Sequence, residues 1–345
     1  MTDRVRIGIM GSGFIARTHA RSLTHGCRGA RLTAVAGGSR AETLARDFEV
    51  PSLPDIATLA ASREVDAVIV ATPHSCHRDH ALLCARHGKH VLLEKPMATS
   101  VTQCREIIDA CTFAGLNLMV AFTQRFRTSN RTAHEVISAG TIGRILMIQE
   151  QALLPDGLRA YPSWQQHPDN LGILFGYGIH NIDKLRWLLH DEPACVTAQS
   201  IRSAGGIETT TMATLRWHGG AVTNLWSSVD LPAPGFESTA YRSLIVGETG
   251  LLDVDGYGAV RLARRGEEWK TLFVQPAIDW HGKGMFSEAR MGSFNAQDQA
   301  FIDAVLNGTP PAITGFDGLQ AVAIALAAYR SAETQQTVHL TTPAG

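Results

Sequence analysis

The spacing of apolar and polar positions in the first third of the chain differs from that in the remainder. Residues 1–122 contain short, almost unbroken apolar runs, separated by longer segments of helical period. The runs occupy residues 5–10, 31–37, 66–71, 90–93 and 116–121. Apolar strands that alternate with helices are typical of a doubly wound parallel sheet covered on both faces. We therefore predict an α/β domain over residues 1–122.

Residues 123–345 are predicted to form a second domain, of the α+β class. Short β-rich segments follow residue 194 with glycine-containing turns between them, which predicts a large, mostly antiparallel sheet. The segments are 195–203, 207–217, 221–229, 241–247, 250–254 and 259–263. Two helices are predicted near the end of the chain, and these could pack back on the first domain. They cover residues 294–307 and 316–334.

The second domain is expected to bind the substrate and to join copies of the chain. One face of its sheet needs cover from another subunit, which predicts a homodimer or homotetramer. Residues 276–293 lack a clear period and are predicted to be a loop, either over the active site or on the surface. This loop contains Trp280, His281, Lys283 and Arg290.

A glycine-rich turn follows the first apolar run. The sequence Gly-Ser-Gly-Phe-Ile-Ala, residues 11–16, lies between a strand and a helical segment, which is the G-x-G-x-x-A order of a dinucleotide-binding Rossmann turn. The helix N-terminus would hold the pyrophosphate. An ordinary turn is the alternative. The expected dinucleotide contacts are Gly11, Gly13, Phe14 and Ile15.

The end of the second strand bears on the choice of dinucleotide. Many NAD sites place a carboxylate there to hold the ribose 2′-hydroxyl, but this strand runs into Gly37, Gly38, Ser39 and Arg40. A hydroxyl and a guanidinium suit a 2′-phosphate, so we favour NADP over NAD. Ser39 could also cap the following helix, and the two roles are compatible.

Composition narrows the classes of partner. The chain has 345 residues, 45% of them hydrophobic, and a net charge of −1, which gives no reason to expect nucleic acid or a membrane as a partner. Six cysteines without a C-x-x-C pair predict reduced thiols in a cytoplasmic protein. We expect no metal site, because the histidine pairs, such as His77 and His80, have no third ligand at a suitable spacing.

Three stretches carry a resemblance to a known family. GSGFIA, ATPHSCH and GKHVLLEKP are similar to the glucose–fructose oxidoreductase, inositol dehydrogenase and rhizopine-catabolism (Gfo/Idh/MocA) family of NAD(P)-dependent oxidoreductases. The resemblance implies that Glu-Lys-Pro lies beside the nicotinamide, often with a cis peptide before the proline. Lys95 would then contact the nicotinamide ribose and the reacting hydroxyl. Further cofactor contacts are implied for Thr72, Pro73, His77 and Glu94.

A second block, residues 161–190, resembles the family pattern G-G-G-x-x-x-D-x-G-x-H-x-x-D. By position, His180 would be the second catalytic group, and Asp183 would lie near the substrate. The family aspartate falls on Gly176 in this chain. Tyr161 and Tyr177 are candidates to replace the missing carboxylate.

Arg125 follows the last strand of the first domain, within a stretch that also resembles the family. It either lines the cofactor end of the pocket or pairs with a carboxylate. The resemblance as a whole implies an enzyme that moves a hydride between NADP or NAD and a secondary alcohol of a sugar, cyclitol or related compound. Two alternatives remain: a redox-neutral enzyme with a tightly bound cofactor, and a non-catalytic dinucleotide-binding regulator.

Overall fold

The computed structural model describes residues 4–155, 157, 162–232, 235–236, 241–278 and 282–341. The chain forms two compact units. The first contains Met1–Thr123 and Trp280–Leu319, and the second contains Gln124–Asp279 and Gln320–Gly345. Across the part of the chain that the structure describes, no helix is both long enough and apolar enough to cross a membrane.

The regular elements alternate in the first unit and are mainly strands in the second. The strands, in chain order, are β1 (Val5–Met10), β2 (Ala30–Ala36), β3 (Ala67–Val70), β4 (His90–Leu93), β5 (Leu118–Val120), β6 (Ile145–Pro155), β7 (Pro193–Arg202), β8 (Glu208–Trp217), β9 (Val222–Leu231), β10 (Tyr241–Gly247), β11 (Gly250–Asp255), β12 (Ala259–Arg264), β13 (Lys270–Val274) and β14 (Val338–His339). The helices are α1 (Phe14–His25), α2 (Ala41–Asp47), α3 (Ile56–Ala61), α4 (His77–Arg86), α5 (Val101–Phe113), α6 (Thr128–Ser138), α7 (Ile179–Leu189), α8 (Glu288–Asn307) and α9 (Gly315–Thr334).

The first unit is built on a five-stranded parallel sheet in the order β2-β1-β3-β4-β5. Its strand residues Ile7, Ile9, Ile69 and Leu92 have no exposed surface, so the apolar runs form the core. The strand order reverses direction between β1 and β3, and crevices for ligands form at such switch points, beyond the carboxyl ends of the strands. The predicted doubly wound sheet is confirmed.

Helix α8 belongs to this first unit and packs against α1. It begins at Glu288, and a short 3₁₀ helix occupies Gly282–Phe286. The prediction of a loop over residues 276–293 is therefore wrong for these two segments. The guanidinium of Arg290 lies 4.8 Å from the rings of both Phe14 and Phe294, a contact between distant parts of the chain that the local pattern could not show. Trp280 and His281 lie outside the described residues, as does the side chain of Lys283.

The second unit contains a nine-stranded sheet in the order β13-β12-β11-β10-β6-β9-β8-β7-β14. Only the central β6–β9 pair is parallel among these described strands, so the predicted mostly antiparallel sheet is confirmed. Helix α7 packs on β6, and α6 packs on β11 to β13. Strand β13 was not predicted from the sequence, because nearly all its residues are exposed at the sheet edge, which removes the apolar signal.

A buried polar cluster attaches α7 to the sheet. Lys184 lies 2.9 Å from Oε1 of Glu150 on β6 and also donates to Oγ of Ser243 at 2.9 Å. Ser243 in turn donates to Oε2 of Glu150 at 2.7 Å, and Asn181 donates to Oε1 of the same carboxylate. Every one of these side chains is buried. The cluster fixes the rotation of the helix that carries His180 and Asp183.

Candidate active site

The glycine turn after β1 has the geometry that close approach of a phosphate requires. Gly11 adopts φ +110°, a region that disfavours other residues, and a Cβ there would collide with the carbonyl oxygen of Ala71. Gly13 is the N-cap of α1, and a Cβ built on it meets nothing within 4 Å. The first amides of a helix lack partners within the helix. Open space at the N-terminus of α1 therefore fits a pyrophosphate.

The end of β2 lies directly beside this turn. Oγ of Ser12 accepts a hydrogen bond from the backbone amide of Arg40 at 3.1 Å, and the amide of Gly11 donates to Ala36 at 2.8 Å. Ser39 and Arg40 are exposed. Helix α2 has Arg40 as its N-cap residue, and no side chain caps it, so the prediction that Ser39 could cap this helix is wrong. The helix begins one residue later than that role requires.

The ends of β3 and β4 are tied together by a histidine. Nε2 of His77 lies 2.8 Å from the carbonyl oxygen of Thr72, and its Nδ1 lies 2.7 Å from that of Pro96. Burial lowers the pKa of His77, which has no exposed surface. Its side chain thus holds two backbone segments of the strand ends. The peptide between Lys95 and Pro96 is cis, as the resemblance led us to expect.

Lys95 follows β4 and has Glu94 as its neighbour. Burial of its ammonium lowers the pKa of Lys95, and the charge of Glu94 opposes this change. One carboxylate oxygen of Glu94 accepts the backbone N–H of Lys95 at 3.1 Å. The other lies 3.1 Å from Nε2 of His19, whose Nδ1 lies 3.0 Å from Asp298. The first unit therefore brings together the segments that follow β1, β2, β3 and β4, as the sequence indicated. His19 and Asp298 lie beside the segment that follows β4.

In the second unit, His180 and Asp183 lie on the first turns of α7. A π-helical turn, Leu174–Gly178, leads into this helix. A Cβ on Gly178 would lie 2.9 Å from Oγ of Ser227, so glycine lets the turn approach β9 closely. His180 is buried, with 9% of its surface exposed.

Arg125 makes a two-point ion pair with Asp183. Its Nε donates to Oδ2 at 2.8 Å, and its Nη2 donates to Oδ1 at 2.6 Å. Asp183 has no exposed surface. The structure shows that Arg125 pairs with a carboxylate, and its place at the cofactor end of the pocket stays a prediction. Because a two-point pair of this kind fixes the relative orientation of its partners, Asp183 holds Arg125 against α7.

Tyr177 lies in the π-helical turn and is partly buried, and this burial raises the pKa of its hydroxyl to about 12. It therefore stays protonated near neutral pH. Gly176 is buried in the same turn. Tyr161, the other candidate to replace the missing carboxylate, lies outside the described residues.

Sequence reasoning missed a buried cation as well as His19 and Asp298. The side chain of Arg127 is 4% exposed, and its guanidinium lies 3.6 Å from the centre of the Tyr257 ring. Burial lowers its pKa. An arginine just before a helix, as here at the N-cap of α6, gives no local signal of burial, since most arginines are exposed. Within the described ranges, no group of three or more metal-binding side chains is arranged around a common point.

Comparison with known proteins assigns the chain to a family. A family model described as an oxidoreductase family with an NAD-binding Rossmann fold matches residues 5–122, and the model of the same family's C-terminal α/β domain matches residues 134–340. The chain belongs to the Gfo/Idh/MocA oxidoreductase family. Its first unit is accordingly an NAD-binding Rossmann fold, which confirms the family that the three sequence stretches resemble.

Relatives cover nearly all of the chain. Inositol 2-dehydrogenase 3 of Saccharopolyspora erythraea is 30% identical over 97% of this chain and 95% of its own length. An inositol 2-dehydrogenase/D-chiro-inositol 3-dehydrogenase of Lacticaseibacillus casei is 28% identical over 97% and 94%. Among solved structures, the aldose–aldose oxidoreductase of Caulobacter crescentus, complexed with glycerol, is similar with a TM-score of 0.84 and 26% identity, over 98% of this chain and 100% of that one.

Proposed function

We propose that this member of the Gfo/Idh/MocA family transfers a hydride between a nicotinamide dinucleotide and a secondary alcohol or ketone of a sugar, cyclitol or sugar derivative. The observation that carries the proposal is Lys95, an amine of lowered pKa held at the carboxyl edge of a parallel sheet. The names of the relatives, inositol dehydrogenases and an aldose–aldose oxidoreductase, support the polyhydroxy substrate class.

The residues at the strand ends fit a dinucleotide. The N-terminus of α1 offers backbone amides beside an open Gly13, and the exposed Ser39 and Arg40 suit a 2′-phosphate, so we propose NADP as the preferred cofactor over NAD. When bound, the cofactor accepts or supplies the hydride. The proposed contacts come from Gly11, Gly13, Phe14, Ile15, Ser39, Arg40, Thr72, Pro73, His77, Glu94, Lys95 and Arg125, of which His77 acts through the backbone that it holds.

Lys95 and His180 are the proposed catalytic residues. Oxidation of an alcohol requires a group that takes the hydroxyl proton, and an amine of lowered pKa performs this step at a lower pH than an ordinary lysine. Histidine exchanges protons readily near neutral pH, so His180 is suited to pass the proton onward. Tyr177 would donate a hydrogen bond to the substrate as a neutral hydroxyl. Asp183 would fix the position of Arg125 relative to α7. Tyr161 stays a proposed substrate contact.

Residues 1–122 are proposed to carry the dinucleotide, and residues 123–345 the substrate contacts and the contact between copies of the chain. Exposed apolar side chains on the face of the large sheet that α6 and α7 leave open support a homodimer or homotetramer. They include Met147, Met212, Leu244 and Leu251.

A second candidate function follows from the likeness to an aldose–aldose oxidoreductase, together with glycine in place of the family aspartate at residue 176. Such an enzyme would reduce one sugar with the hydride taken from another and would keep its cofactor bound. It would therefore retain the cofactor through purification and show no net change in nicotinamide absorbance with a single substrate.

The experiment begins with calorimetry of NADP and NAD binding. An absorbance screen of sugars and cyclitols follows, with single compounds and then with pairs of an alcohol and a carbonyl acceptor. On the compound found, Lys95→Met and His180→Gln are each expected to lower kcat by roughly 10²-fold or more, because each removes a proton-transfer group. Lys270→Met and His218→Gln are matched controls, since both residues are exposed in the second unit.

Full turnover by Lys95→Met and His180→Gln would show that the site is wrongly assigned. Product formation from a pair of sugars without an absorbance change would favour the redox-neutral candidate instead. Tight dinucleotide binding without product from any compound or pair would contradict both enzymatic proposals.

A further inference from the structure

His19 is buried between two carboxylates that come from distant parts of the sequence. Its Nδ1 lies 3.0 Å from both oxygens of Asp298 on α8, and its Nε2 lies 3.1 Å from Oε1 of Glu94 at the end of β4. His19 has no exposed surface, and Glu94 and Asp298 are also buried. The three side chains form a chain of contacts, Asp298–His19–Glu94, inside the first unit.

The contacts of His19 fix its protonation state. A neutral imidazole has one N–H donor and one lone pair, so one of its nitrogens would present a lone pair to a carboxylate. An imidazolium donates through both nitrogens and satisfies both partners. Burial by itself lowers the pKa of His19, but Asp298 and Glu94 raise it to about 10. His19 is therefore a cation across the range in which most enzymes work.

The contacts from Asp298 through His19 and Glu94 extend to the backbone of Lys95. Oε2 of Glu94, the oxygen that His19 does not contact, accepts the backbone N–H of Lys95 at 3.1 Å. The pKa of Glu94 is lowered despite burial, because His19 and Lys95 both favour its charged form. Each oxygen of Glu94 thus has its own partner, His19 on one side and the backbone N–H of Lys95 on the other.

We propose that His19 is a positioning residue for Lys95: as an imidazolium clamped by Asp298, it orients Glu94 and offsets the charge that Glu94 presents to the Lys95 amine. This inference rests on the proposed role of Lys95 in proton transfer. His19 also lies on α1, the helix whose N-terminus faces the proposed pyrophosphate site. The contacts Asp298–His19–Glu94, called the clamp below, therefore connect α1, the end of β4 and α8.

Charges around the clamp give the sign of the effect. Two carboxylates and one imidazolium leave a net charge of about −1 next to Lys95. The other groups that face the clamp are His77 of α4, which lies close enough to Glu94 to feel its charge, and Cys27, whose pKa is raised to about 12 by burial and by Asp298. The rings of Phe294 and His19 pack nearly perpendicular to each other, with ring centres 6.0 Å apart. The raised pKa of Cys27 keeps its thiol neutral at pH 7, and burial disfavours the cationic form of His77, so neither group adds to the negative charge.

Two substitutions should move the pKa of Lys95 in opposite directions. His19→Gln removes a positive charge, which leaves Lys95 facing more negative charge and raises its pKa. Asp298→Asn removes a negative charge while its amide oxygen can still accept from Nδ1, so the pKa of Lys95 falls. A unit charge at this range in a buried site shifts a pKa by about one unit. A role limited to packing would lower stability or activity in both variants without opposite shifts.

The primary measurement is the pH dependence of kcat/KM for alcohol oxidation, because the deprotonated amine is the active form. We expect the acid limb of the profile to move to higher pH in His19→Gln and to lower pH in Asp298→Asn. We also expect kcat of His19→Gln to fall roughly 10- to 100-fold, as for loss of a partner that orients a reacting group. His25→Gln, at the exposed end of α1, is the matched control.

A second readout needs no turnover. ¹⁵N spectra should show both nitrogens of His19 protonated at pH 8, and the ¹³Cε signal of Lys95, assigned by its absence in Lys95→Met, should titrate with the same opposite shifts. This readout separates failure of the inference from failure of the proposed reaction. Shifts of the same sign, no shift in either variant, or a neutral His19 at pH 8 would overturn the inference.

Discussion

At the scale of single residues, the local sequence identified side chains by their position after a strand, and the structure decided what they touch. The roles of Lys95 and Glu94 are implied by the family resemblance of GKHVLLEKP, and both residues lie at the end of β4. The sequence left two roles open for Arg125, and its two-point contact with Asp183 shows one of them. His19 and Asp298 are 279 positions apart, so no local pattern could join them.

The exposed Arg40 gives a prediction about cofactor choice. Arg40→Asp should weaken NADP binding by about tenfold or more, because it replaces a guanidinium that would pair with the 2′-phosphate by a repelling carboxylate. NAD binding should change little or improve, since a carboxylate can accept from the 2′-hydroxyl. Calorimetry with both dinucleotides provides the measurement.

Arg46→Asp is the control for this comparison, because Arg46 is exposed on the same helix, α2, and its replacement makes the same change in net charge. An equal loss of NADP affinity in both variants would indicate a general charge effect. Equal affinities for NADP and NAD in the unaltered protein would contradict the proposed preference.

At the scale of elements, the period of the apolar residues and the turn residues located most helices and strands. Burial in the folded protein determined the residues at which these elements begin and end. Strand β4 lies where the apolar run predicts it, at His90–Leu93. Helix α8 begins six residues earlier than its apolar period indicates, and in this added segment Arg290 lies over the Phe14 ring of α1. The rotation of α7 on the sheet depends on the buried cluster of Glu150, Lys184 and Ser243, whose members come from three elements.

The Glu150–Lys184 pair gives a prediction about α7. Lys184→Met should lower the free energy of unfolding by about 3–5 kcal/mol, because it leaves the buried carboxylate of Glu150 without a cation. Replacing both partners, as Glu150→Leu with Lys184→Met, should recover much of this loss, since no charge then remains buried. Urea denaturation followed by tryptophan fluorescence measures the difference.

The control for this prediction is a surface pair, Arg144 and Glu248, whose side chains are 59% and 45% exposed. Arg144→Met should cost at most about 1 kcal/mol, because exposed ion pairs contribute little. A double variant no more stable than Lys184→Met alone would show that packing, and not the buried charge, dominates at the Glu150–Lys184 site.

At the scale of the whole molecule, the chain divides into a parallel-sheet unit and an antiparallel-sheet unit. The first unit recruits residues from two separated parts of the sequence, so α8 completes a fold that begins near the start of the chain. The second unit covers its sheet with α6 and α7 on one face and leaves exposed Met147, Met212 and Leu244 on strands whose alternate residues are buried. Apolar side chains grouped on an open sheet face are typical of a protein–protein contact.

The open sheet face gives a prediction about assembly. Leu244→Glu combined with Met147→Glu should shift the protein from a dimer or tetramer to a monomer, because two carboxylates would be buried in the contact without partners. Light scattering coupled to size-exclusion chromatography measures the mass. Leu306→Glu is the control, since Leu306 of α8 is similarly exposed, at 44% against 39% for Leu244. An unchanged mass in the double variant would place the contact elsewhere.

The sequence by itself determined the features that depend on neighbours along the chain. Apolar runs, helical periods and the G-x-G-x-x-A turn act over short distances, so the sheet type of each unit and the residues after each strand could be predicted. Tertiary structure alone decided the clamp of Asp298, His19 and Glu94, the pairing of Arg125 with Asp183 and the anchor of α7. Each joins side chains that are distant in sequence, and burial makes their pairing necessary only once the chain has folded.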